Sequence, residues 1–189
     1  MNLWQRAKKL KISDWLRFGK NATIEIDQLG GGVKRISANE LTRVVDSAGR
    51  IVTSTATALS LTITEHADRV VVVNTNSTVA NTFTLPAATG SGAYFRIVNN
   101  VVQTQGTVVI ACAGDDVMQG AVHLVDSTAG GGCDSFVATA TSDKVSMNLT
   151  TTGGLGGDFL EAWDIAADTY LVKGTFFGSG TLATPFSAT

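Results

Sequence analysis

The chain has 189 residues, 44% of them hydrophobic and 16% charged, with 14 bases against 16 acids and a mean hydropathy of +0.19. That length supports one good-sized domain with an appendage, and that composition excludes a disordered chain. No apolar run is long enough for a membrane-spanning helix, and bases are too sparse after Arg96 for a nucleic-acid-binding body.

The first twenty residues differ from the rest. They hold Arg6, Lys8, Lys9, Lys11, Arg17 and Lys20 against Asp14 alone, a local charge of +5, together with Trp4, Trp15 and Phe18. The remaining 169 residues hold 8 bases and 15 acids. Trp4, Ala7, Leu10 and Ile12 recur near helical spacing, which predicts a helix over 2–18 with a break at Ser13 and Asp14. No apolar stretch of the kind a secretory leader needs follows these bases, so Cys112 and Cys133 are expected as reduced thiols. Alternation over 22–26 suits a short strand. Gly30-Gly31-Gly32 reads as a linker, since three glycines cost too much entropy inside an element. Ser37-Ala38-Asn39-Glu40 has the form of a capping box and predicts a short helix ending near Ala48-Gly49.

From residue 59 the period changes to two. Leu59, Leu61 and Ile63 alternate with Ser60, Thr62 and Thr64, and the valine run over 69–73 reads as a strand buried on both faces. Phe83 and Leu85 continue the alternation. Further strands are expected at 94–98, 107–111, 122–125, 135–140, 144–149, 159–165 and 169–174, separated by Gly- and Asp-rich turns. Many short strands at such spacing, with no long helix and no exact repeat, predict a mainly β fold: an antiparallel β-sandwich or jelly-roll-like domain behind an N-terminal helical arm. The expected organisation is an arm at 1–29, a linker with the capped helix at 30–58, and the β body at 59–189.

Chemistry-bearing residues are scattered. His66 and His123 lack zinc-ligand spacing, so they are expected to be exposed or satisfied in the core, with no metal and no cofactor. Asp115 and Asp116 follow Gly114 as turn residues do and lack the order of a calcium loop. Asp126 and Asp134 add no paired-carboxylate signature. Gly153-Gly154-Leu155-Gly156-Gly157 has β-like sequence on both sides and Asp158 next, so a flexible surface loop is expected and not a phosphate cradle. No serine sits in a Gly-x-Ser-x-Gly turn. No enzyme is expected. The arm's pattern of Trp, Leu and Phe with Lys and Arg fits a membrane interface, nucleic-acid phosphates or a protein groove. Trp and Arg are the usual interface anchors, which favours protein docking.

The run Ile36-Ser-Ala-Asn-Glu-Leu-Thr-Arg-Val44 resembles a short element of tailed-phage virion proteins. The segment Phe83-Thr-Leu-Pro-Ala-Ala-Thr-Gly-Ser-Gly-Ala-Tyr-Phe-Arg-Ile-Val98, with Gly114-Asp-Asp-Val-Met-Gln-Gly120 and Gly180-Thr-Leu-Ala-Thr-Pro-Phe-Ser-Ala188, is similar to β-rich phage head-decoration (cement) and fibre proteins. The likeness covers about 37–189. It implies a non-enzymatic virion component made in the host cytoplasm, commonly a homotrimer on the capsid surface, with neither nucleic acid nor membrane as partner. On that reading Trp4, Lys8, Lys9, Lys11, Trp15, Arg17 and Phe18 bind the major capsid protein. A tail-fibre or receptor-binding module contacting host surface glycans is the alternative.

Overall fold

A computed structural model describes residues 23–28, 32–37 and 50–188. The expected arm helix, with Trp4, Lys8, Lys9, Lys11, Trp15, Arg17 and Phe18, lies outside those residues, as does the capped helix expected after Ser37. The chain divides into two compact units, Met1–Ala48 and Gly49–Thr189. In the first, β1 (Thr23–Gln28) pairs antiparallel with β2 (Gly32–Ser37), Gln28 opposite Gly32. Gly32 is therefore a ladder residue, not a linker residue.

The second unit is mainly β. Its elements are β3 (Ile51–Ser54), β4 (Ala58–Ser60), the helical turn α1 (Ile63–His66), β5 (Val70–Val73), β6 (Asn81–Thr84) and β7 (Tyr94–Asn99). There follow β8 (Val108–Ala111), β9 (Val117–Asp126), β10 (Cys133–Val137), β11 (Lys144–Met147), β12 (Phe159–Ala166), β13 (Thr169–Gly178) and β14 (Phe186–Ser187). They form a seven-stranded sheet, β10-β9-β13-β12-β7-β5-β3, and a five-stranded sheet, β14-β11-β8-β6-β4. Residues from both sheets make one apolar core, with Val71, Phe95, Leu160 and Phe176 from the larger and Phe83, Ile110 and Val145 from the smaller.

The sheets are mixed, which corrects the antiparallel expectation. β3, β5 and β7 run parallel, as do β4, β6 and β8, and β13 runs parallel to β9. The chain alternates between sheets from β3 to β9, so strands adjacent in space are separated by an intervening strand of the other sheet. A return to the same sheet through the opposite layer brings the chain back in its original direction, so pairing is parallel. Period-two patterning is the same for either direction and does not disclose this.

Two local expectations also change. The alternation over 59–64 stops at Thr62, whose hydroxyl accepts the Glu65 amide at 3.3 Å and starts α1. A side chain that satisfies an orphan amide outcompetes strand continuation there. Val71 and Val73 are fully buried, while Val70 and Val72 are only half-buried because they face outward from the larger sheet.

Candidate functional site

The outer face of the seven-stranded sheet carries a connected group of charged and aromatic side chains. Along β12, Leu160, Ala162 and Asp164 point inward and are buried, so Phe159, Glu161 and Trp163 stand on the outer face. Antiparallel registers set Glu161 beside Arg96 on β7 and Lys173 on β13, and Trp163 beside Tyr94 and Leu171. The Tyr94 hydroxyl donates to Glu161 Oε1 at 2.7 Å, and Lys173 Nζ lies 3.1 Å from Oε2. Arg96 Nε is 3.9 Å from Oε1. The rings of Tyr94 and Trp163 are 4.8 Å apart at 35°. Lys173 lies 4.9 Å from the Trp163 ring centroid, and the Arg96 guanidinium 5.1 Å from that of Phe159.

Electrostatics follow from that geometry. Partial burial pushes the Glu161 pKa up, but the Tyr94 hydroxyl, Lys173 and Arg96 together bring it below the usual range. Burial, then the hydrogen bond to Glu161, pushes the Tyr94 hydroxyl up to about 12. Glu161 stays ionised and Tyr94 protonated at neutral pH. A carboxylate already engaged by three partners, beside a phenol that does not titrate, makes a poor general base. It suits a surface that is fixed in shape and aromatic, with one carboxylate shared by two bases.

Sequence reading missed this group. Its signal was present in Phe159-x-Glu161-x-Trp163, where the outward face of one strand carries bulky residues. Only the registers bring Tyr94, Arg96 and Lys173 to it.

The other candidates have structural partners. His66 is buried, and its Nδ1 accepts the Thr62 amide at 3.0 Å; His123 is exposed with Nδ1 2.8 Å from Ser135 Oγ. Asp115 is exposed. Its neighbour Asp116 is buried and accepts the Ala88 amide at 2.7 Å, fastening the loop after β6. Asp126 closes its own turn through Thr128. Asp134 is exposed on β10, eight residues from Asp126 in sequence and opposite Leu124 in the ladder. Cys112 and Cys133 are free thiols, one buried and one exposed; burial, then Asp116 and Asp143, pushes Cys112 up to about 12. Among the described residues no three His, Cys, Asp or Glu side chains come together as a metal-binding group, and no helix is long and apolar enough to cross a membrane.

The glycine-rich run is not a loose loop, contrary to expectation. Thr152, Gly153 and Gly154 are buried around Asp158, whose carboxylate accepts the amides of Gly154 at 2.6 Å, Leu155 at 3.2 Å and Phe177 at 2.8 Å. Backbone amides that would cradle a phosphate are already filled by the protein's own anion. No family model, no curated protein and no solved structure matches this chain.

Proposed function

We propose that the protein is a non-enzymatic virion structural component, a capsid decoration protein whose two-layer sandwich body self-associates and whose residues 1–29 grip the major capsid protein. One observation carries the reading. The outer face of the larger sheet spends its charges on one another, around Glu161, while Ile51, Val137 and Leu171 on the same sheet stand 62%, 70% and 42% exposed. A face whose single carboxylate is shared by two bases, leaving one net positive charge, and whose edges expose apolar residues is suited to packing against other protein. The likeness of the segment over 83–98 to phage decoration proteins supports the virion setting. The +5 charge and the tryptophans of the first twenty residues support the capsid contact. A threefold assembly would present three such arms together and multiply weak contacts into firm attachment.

The test is deletion of residues 1–29 followed by binding to undecorated capsids. Loss of binding is expected, with the thermal unfolding of the body over 50–188 unchanged although β1 is removed; unchanged occupancy would overturn the capsid role. The Tyr94–Trp163 pair, flanked by Lys173 and Glu161, favours a second reading, the glycan-contacting fibre module. Saturable binding of the intact protein to host polysaccharide, lost in Trp163→Ala, would replace the first reading with this one.

A further inference from the structure

The seven-stranded sheet ends in two edge strands, β10 and β3. Among the described residues each pairs on one side only, β10 with β9 and β3 with β5. Natural edges are commonly blocked by Lys, Pro or extreme shortness. The edges of the smaller sheet follow that rule: β4 has three residues and β14 two, with Pro185 just before it. β3 and β10 are longer and hold neither Lys nor Pro, and the single charged side chain on the two is Asp134 of β10.

The two edges match each other in three ways. First, one cross-sheet row runs from Val137 through Ala121, Lys173, Glu161, Arg96 and Val70 to Ile51. Its two ends are the most exposed large hydrophobic residues of those described, Val137 at 70% and Ile51 at 62%. Second, the backbone phases agree. Asp126 donates to Gly132 and Ala138 to Gly120, so even-numbered residues of β10 face β9, and Cys133, Ser135 and Val137 turn their backbone groups outward. On β3, Ser54 accepts from Asn74 and so faces β5, leaving Ile51 and Thr53 outward. Third, the directions suit pairing. Followed strand by strand across the sheet, β10 runs antiparallel to β3.

We infer that β10 of one copy adds to β3 of a second copy, antiparallel, continuing the larger sheet from subunit to subunit. This rests on the self-assembly reading above and names its interface. In that register Val137 lies against Ile51 of the second copy, and Ser135 against Thr53. Both pairs have outward backbone groups, giving about four new hydrogen bonds. On the inner side Phe136 meets Val52 of the second copy, and the Asp134 carboxylate meets the Ser54 hydroxyl, a donor it lacks as an exposed edge residue. The contact joins two different surfaces, so repetition closes a ring or extends a filament and does not stop at a twofold dimer. Closure at three copies gives the trimer the resemblance implies.

The experiment uses the full chain with Cys133→Ser as background and adds Thr53→Cys with Ser135→Cys. Facing residues in an antiparallel pair fall within disulfide reach. Mild oxidation is expected to give covalent multimers larger than dimers on a denaturing gel, and neither single substitution is expected to cross-link. In parallel, Val137→Lys with Ile51→Lys is expected to reduce the native mass by light scattering to that of a monomer, with the far-ultraviolet spectrum unchanged. Dimers from Ser135→Cys alone would overturn the head-to-tail contact in favour of β10 pairing with itself. An assembled native mass with no cross-link would overturn this interface and leave self-assembly standing. A monomeric native mass for the unaltered chain would overturn both.

Discussion

Two turns of this molecule are each held by an aspartate, and their environments differ. Asp164 and Asp158 are both buried, at 1% and 0% exposure. Asp164 accepts the amides of Thr89, Gly90 and Ser91 and the hydroxyls of Ser91 and Thr89, all from an exposed turn. Burial raises its pKa, but those donors, Ser91 foremost, outweigh it and bring it down to about 2. Asp158 sits among buried residues, has three amide donors and no hydroxyl, and burial wins, pushing it up to about 6. Hydrogen bonds to a buried anion are therefore not enough to decide its charge. The number of donors and the wetness of the turn that supplies them decide it.

The sharpest way to break this comparison is Asp164→Ala. It strands three amides and two hydroxyls and should cost ~4 kcal/mol, seen as a fall in Tm of roughly 8–16 °C. A loss under about 1 kcal/mol would show that water replaces the carboxylate easily. Next comes pH. The Asp158 pKa is raised by folding, so its contribution is fully present below the unfolded value near 3.8 and is lost as pH rises through about 6. Urea unfolding should show about 2–3 kcal/mol less stability at pH 7 than at pH 4 from this group, and Asp158→Asn should flatten that slope. Asp164 has the opposite sign, since its stabilisation is present above the ordinary carboxylate range and is lost only as pH falls toward about 2.

The glycines of the two turns extend the contrast. Gly154 has φ +125°, and an added Cβ would lie 2.8 Å from Leu149 Cα, so Gly154→Ala should cost ~2 kcal/mol. At Gly92, φ is +74° and nothing lies within 4 Å of an added Cβ, so Gly92→Ala should cost only ~1 kcal/mol of backbone strain. Equal losses would mean that the surroundings of the buried turn yield. The smallest effect belongs to a carboxylate whose cationic partners are solvated: Glu161→Gln, with partners 42% and 64% exposed, should change stability by ~0.5 kcal/mol.

Much of the β body was legible because alternation marks a half-buried strand wherever it occurs. Phe95, Ile97 and Asn99 face inward from β7, and Tyr94, Arg96 and Val98 outward, as the period demands. The stop at Thr62 was also written in Thr62-Ile63-Thr64-Glu65, whose spacing is that of a helix cap. Strand partners were not legible, because the same alternation serves parallel and antiparallel ladders. For the same reason the outer-face group could not be assembled, since Tyr94 and Trp163 meet across 69 positions of sequence. Asp158 was hidden for another reason: a glycine run reads as loose until something is known to fill it.

The alternation of β3 to β8 between two layers has a consequence for how the chain reaches this state. Neither layer contains a hairpin in that stretch, so no two sequence-adjacent strands can zip locally. Each pairing must wait for a loop of about twenty residues to close around a strand of the opposite layer. The layers are thus mutually templating. Folding of this half should be slow and all-or-none, with amide exchange protection rising in both sheets together.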